Sequence, residues 1–157
     1  MQNKNVKPGE LKSLQIVHRA LLLGLVLFAA IAFYLNYSGN FIAGLKSYDQ
    51  PLQVIAITLS FGGFFIGSLL FKKKMQQIKD SSPELRVKLS TYRSAAIMQW
   101  ALLEGPALFA IICFLLVGNY AFLALAVVFI ILFAVTAPNK TKMMLLLQLT
   151  EEEMATL

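Results

Sequence analysis

Residues 51–71 form a stretch of 21 positions without a charged residue, enough for roughly 30 Å of helix, the thickness of a bilayer's hydrocarbon core. Three further apolar runs, at 14–37, 94–117 and 120–137, are of comparable length. A soluble core cannot hide this much apolar surface: 58% of the 157 residues are hydrophobic, 14% are charged, and mean hydropathy is +0.70. In lipid each spanning segment must satisfy its own backbone groups, so the runs read as helices. The expected fold is all-α, a four-transmembrane-helix bundle forming one membrane domain over residues 1–157.

The charged residues mark the ends of these runs. Of 14 Lys and Arg residues, all but Lys46 lie in the N-terminal segment, in 72–93 or in the tail. That bias places both termini in the cytoplasm of a multi-pass protein of the cell's inner (plasma) membrane. The net charge of +6 therefore reports topology, and no nucleic-acid partner is expected. Lys4, Lys7 and Lys12 precede the first run, with Pro8 marking the helix start. This basic flank, with Ala30-Ile31-Ala32 downstream, has the outline of a secretory signal, but the run is too long for one and reads as a retained span. Lys72, Lys73, Lys74 and Lys79 open a basic loop over 72–93. Ser81 and Glu84 stand at capping-box spacing around Pro83, so one long helix is expected from Pro83 to Val117. Gly118-Asn119 is a tight turn, and Pro138-Asn139 ends the fourth span. In the tail (138–157), the apolar patch 143–149 is expected on the membrane surface or against the basic loop. Thr150 and Glu153 have capping-box spacing for a short final helix.

The first and third runs are related. A shift of 81 residues aligns 16–35 with 97–116 and makes 11 of 20 positions identical. Ala20 pairs with Ala101, Gly24 with Gly105, and Leu27-Phe28-Ala29 with Leu108-Phe109-Ala110. The bundle is thus expected to comprise two related helical hairpins, repeated in parallel. Ala20, Gly24, Ala101 and Gly105 are candidate helix-packing positions, as are Gly63 and Gly67, a G-x-x-x-G preceded at helical spacing by Ala56 and Ser60.

The copies differ at one ionisable position: Leu23 aligns with Glu104. An acid within a span is by default a functional-site candidate. Lying about 16 Å along the helix from Arg93, it falls near mid-bilayer, where an unpaired carboxyl is held in its neutral, protonated form. Pro106 lacks an N–H, which frees the Leu102 carbonyl and distorts the helix beside the acid. Carbonyl and carboxyl together would hold a proton, a monovalent cation or a water. Two structural readings compete with this one: a neutral Glu104 bonded to Ser60, Thr58 or a backbone carbonyl, and an ion pair with Arg19. His18 reads as an interfacial residue, and the single cysteine, Cys113, as packing within an apolar run.

The glycine-bearing helix Ala56–Ser68, the loop with Pro83-Glu84, and the acid helix Ala101-Leu102-Leu103-Glu104-Gly105-Pro106 together resemble the helical hairpin of the rotary ATP synthase proteolipid, subunit c. The resemblance covers residues 54–116, and the direction of the acid-bearing helix agrees. It implies reversible protonation of Glu104. The glycines are fewer than in that family, and the loop lacks its Arg-Gln pair.

No phosphate loop, nucleophile–base pair or metal-ligand cluster is present, so neither an enzyme nor a cofactor or metal is expected. The leading expectation is an accessory or scaffold subunit that binds other membrane helices, its own or another subunit's, within the lipid bilayer. A proteolipid-like subunit translocating protons or monovalent cations through Glu104 is the alternative, and a small oligomeric transporter or channel follows.

Overall fold

The computed structural model describes residues 9–39, 44–81, 84–150 and 153. The expected roles of Lys4, Lys7, Pro8, Pro83, Glu151 and Glu152 lie outside them. The described residues form five α-helices and no strand: α1 (Glu10–Tyr37), α2 (Asp49–Ser81), α3 (Leu85–Val117), α4 (Tyr120–Val135) and α5 (Lys140–Leu147), with a 3-10 turn at Lys46–Tyr48. Three helices are long and apolar enough to cross a membrane; α4 and α5 make a fourth candidate only as a pair bent by 70°. At 16 residues α4 extends about 24 Å, short of the hydrocarbon core. The expected run to residue 137 stops early because Pro138 cannot continue the helix.

α3 is the hub. It packs against α2, α4 and α1, whereas α1 hardly touches α2 and α2 hardly touches α4. Trp100, Leu103, Ala107, Ala110, Ile111 and Phe114 are buried along it. α1 contributes Leu14, His18, Leu25, Ala29 and Ala32, one face at three- and four-residue spacing. The repeat partners α1 and α3 therefore lie together. α1 and α2, however, do not pack as a hairpin in the way that α3 and α4 do.

The expected basic loop is largely helical. α2 continues through Lys72, Lys73, Lys74 and Lys79 to Ser81, and α3 begins at Leu85. Met75 and Ile78 on α2, and Leu85, Leu89 and Tyr92 on α3, are buried there, so an apolar stripe persists between the lysines. The expected capping box is not formed. The Ser81 hydroxyl donates to the Gln77 carbonyl at 2.6 Å, inside α2, and Glu84 makes no side-chain cap. α5 packs on this projecting end, burying Met143, Leu147 and Leu149. The tail patch thus lies against the basic segment. The second capping box does form: the Thr150 N–H donates to the Glu153 carboxylate at 2.9 Å, and the Glu153 N–H to the Thr150 hydroxyl at 3.2 Å.

Candidate functional site

Pro106 sits inside α3, which runs through it uninterrupted. The Leu102 carbonyl that it frees faces α2, not the acid. A methyl built on Gly63 would run into that carbonyl oxygen and lie 2.9 Å from Pro106 Cγ. At Gly67 the added carbon would lie 3.3 Å from Leu102 Cβ and 3.7 Å from the Gln99 carbonyl oxygen. Gly63 and Gly67 therefore seat α2 directly on α3, and the hydrogen in place of a side chain at Gly63 points at the freed carbonyl. Glu104, two residues beyond Leu102, lies about 200° around the helix. The expected joint site of carbonyl and carboxyl is not assembled, because the two face opposite sides of α3.

Glu104 is partly exposed, between buried Leu103 and Ala107 and exposed Ala101 and Gly105. No hydrogen bond or ion pair reaches its carboxyl among the described residues. Each expected partner is turned elsewhere. Arg19 is exposed, since its neighbour His18 takes the inward position on α1. Ser60 is buried on the α2 face that carries Gly63 and Gly67, and its hydroxyl has no partner. The Thr58 hydroxyl donates to the Val54 carbonyl of its own helix at 2.8 Å.

Of the small residues shared by the repeat, Ala29 and Ala110 are buried in the core, but four others face outward. Ala20 and Gly24 on α1, and Ala101 and Gly105 on α3, are all exposed. Nothing lies within 4 Å of where a methyl would stand on Gly24 or Gly105. Both repeat helices thus present a small-residue face outward, and in α3 that face adjoins the unpaired acid.

The histidine that sequence reading placed at the interface is in the core. His18 is 2% exposed, and its Nε2–H donates to the Phe133 carbonyl at 3.0 Å; only that tautomer or the cation satisfies a carbonyl. Its ring stacks on Phe133 at 4.7 Å and meets Trp100 edge-on at 4.8 Å. Nearby, Gln15 Nε2 donates to the Pro138 carbonyl at 3.1 Å, and Lys142 Nζ to the Val135 carbonyl at 2.8 Å. Together these side chains donate to carbonyls at and just beyond the C-terminal end of α4, the end of a helix that attracts donors and positive charge; the Phe133 carbonyl also accepts the Thr136 N–H at 3.0 Å and the Thr136 hydroxyl at 2.6 Å. The signal available beforehand was His18 standing four residues beyond Leu14 and seven before Leu25, on the apolar stripe.

At the opposite end, Asn119 ties α4 to α2. Its Oδ1 accepts the Ala121 N–H at 2.9 Å, and its Nδ2 donates to both Asp49 carboxylate oxygens at 3.0 and 2.8 Å. Gln53 Nε2 adds a third bond to Asp49 at 3.1 Å. Comparison of the chain with protein-family models, curated proteins and solved structures found no match.

Proposed function

We propose that this protein is an accessory or scaffold subunit of a membrane complex, with both termini cytoplasmic, and that it docks another membrane helix against the α3 face carrying Glu104. One observation supports this reading. The carboxyl is partly exposed, unpaired among the described residues, and flanked by Ala101 and Gly105 with open space beside Gly105. A neutral carboxyl at this depth gains by donating a hydrogen bond to a helix from outside, and small neighbours let that helix approach.

The test is a native mass measurement in mild detergent, with Glu104→Gln and Glu104→Leu. Docking predicts that wild type and Glu104→Gln hold a higher-mass assembly, because an amide donates as a protonated acid does. Glu104→Leu should fall apart. Monomeric wild type would sink the reading.

Reversible protonation or cation exchange at Glu104 is the second reading, favoured by the absence of a partner for the carboxyl among the described residues. Here Glu104→Gln is as inactive as Glu104→Leu, since an amide does not exchange a proton. A hydrophobic carbodiimide, which attacks a protonated lipid-facing carboxyl, would then modify Glu104 rapidly and in a pH-dependent way within the intact assembly. A docked carboxyl reacts only once the assembly is taken apart.

A further inference from the structure

α2 and α4 flank α3 without closing on each other, and a lateral cleft separates them. Its middle, of about 240 Å³, is lined by Ile57, Ser60 and Phe64 from α2 and Leu125, Val128 and Leu132 from α4. Through Ile57, Leu125 and Val128 it merges with a space of about 340 Å³ that reaches Gln53 and Ala121. Toward the basic end, Phe71 and Thr136 continue the same two helix faces. They line a further cavity of about 410 Å³ with Tyr92, Gln99, Lys142 and Leu145. Gln53 and Phe71, at the two ends of this series of spaces, stand about 27 Å apart along α2, close to the full hydrocarbon thickness.

The chemistry changes along this path. The middle is hydrocarbon apart from the unpartnered Ser60 hydroxyl, whose residue is 4% exposed. The basic end carries spare donors. Lys142 gives one of its three ammonium hydrogens to Val135 and has two left. The Gln99 amide makes no hydrogen bond among the described residues, and neither does the hydroxyl of Tyr92, 5% exposed. Lys72, Lys73 and Lys74, directly after Phe71, add positive charge at the same level. A helix is about 10 Å across and does not enter spaces of this size. An amphiphile with flexible apolar tails and an anionic head matches both ends.

We propose that the α2–α4 cleft is a phospholipid site, with acyl chains lying along Ile57, Ser60, Leu125 and Val128 and the headgroup phosphate held by Lys142, Gln99 and Tyr92. Glu104 lines none of these spaces, and the site does not depend on its role.

The experiment is lipid retention by delipidated full-length protein, read by native mass spectrometry. The probes are palmitoyl-oleoyl phosphatidylglycerol, phosphatidylcholine with the same chains, and inorganic phosphate. Wild type is expected to retain one phosphatidylglycerol per chain in preference to phosphatidylcholine. Lys142→Ala should weaken that retention roughly fivefold, the effect of one basic contact at a membrane surface. Val128→Trp, at a position 50% exposed, should fill the cleft and reduce retention of both lipids. Equal retention of the two lipids by wild type overturns the proposal, as does unchanged retention by Val128→Trp. Displacement of the lipid by inorganic phosphate also overturns it, as does a wild-type dimer that Val128→Trp converts to monomer. If Lys142→Ala loses its helical circular dichroism, the lipid preference of wild type and the Val128→Trp result decide the matter.

Discussion

At Gly63, hydrogen is the largest substituent that fits. A methyl there meets the Leu102 carbonyl and Pro106, backbone and ring atoms that have no rotamer to escape into. At Gly67 the first obstacle is the Leu102 side chain at 3.3 Å, which gives way more easily; at Gly105 there is no obstacle within 4 Å. Gly63→Ala should therefore destabilise the fold by about 1–3 kcal/mol, the range for overpacking. Gly67→Ala should cost less, and Gly105→Ala should be neutral or stabilising by up to about 1 kcal/mol through helix propensity. Unfolding in detergent at graded denaturant measures the order, and equal effects at Gly63 and Gly105 would refute the contact. The G-x-x-x-G spacing made Gly63 and Gly67 legible in the sequence, because close packing demands small residues at that period. At Ala20, Gly24, Ala101 and Gly105 no helix of the described residues fills the outward face, since spacing does not say whether the approaching helix belongs to the same chain. His18 was illegible for a related reason. A histidine beside an arginine at the edge of an apolar run turns inward only if a carbonyl awaits it, and that carbonyl, at Phe133, is 115 residues away.

Among the elements, the long apolar runs were legible because hydrophobic length alone determines them, while their ends depended on neighbours. Ser81–Glu84 and Thr150–Glu153 have the same spacing, yet only the second forms a capping box. At the first, Met75 and Ile78 find a partner stripe on α3, and α2 runs on through the lysines until its last turn absorbs Ser81. Asn119 shows the converse, an end fixed both locally and at long range. It caps α4 through Ala121 and holds α2 through Asp49. Asn119→Ala loses both functions and should cost about 2 kcal/mol or more, the sum of a cap and a charge-assisted bond. Asn119→Asp keeps the cap but sets two carboxylates against each other, so it should be destabilised near neutral pH and recover in acid as one of them protonates. The double variant Asp49→Asn/Asn119→Asp exchanges amide and carboxylate and should regain most of the loss. Thermal unfolding of wild type, Asp49→Asn, Asn119→Asp and the double variant tests the cycle, and additive losses in the double variant would show that the two side chains do not act as a pair.

For the molecule as a whole, the number of bilayer crossings turns on α4, which alone is too short to be a conventional span. The packing fixes which ends lie together. α5 rests on the projecting ends of α2 and α3, so the start of α1, the α2–α3 connection and α5 share one side. Lys46 and the Gly118-Asn119 turn share the other, joined by the Leu45 N–H to the Leu116 carbonyl at 3.1 Å. An N-terminal end and a C-terminal end on the same side require an even number of crossings. The proposed topology, with both ends on one side, therefore predicts that α4 crosses despite its length, its basic end lying where His18, Gln15 and Lys142 donate to carbonyls. The positive-inside bias predicts that this side faces the cytoplasm. Single cysteines at Lys12, Ser90, Gln148 and Lys46 test this with a charged, membrane-impermeant thiol reagent. Native Cys113 is 2% exposed and should stay silent, so wild type serves as the blank. The first three positions should react together in inside-out vesicles, and Lys46 only in right-side-out ones. Labelling at Gln148 from the side opposite Ser90 would mean that α4 turns back within the bilayer, and the cluster of side chains around its end would need a different explanation.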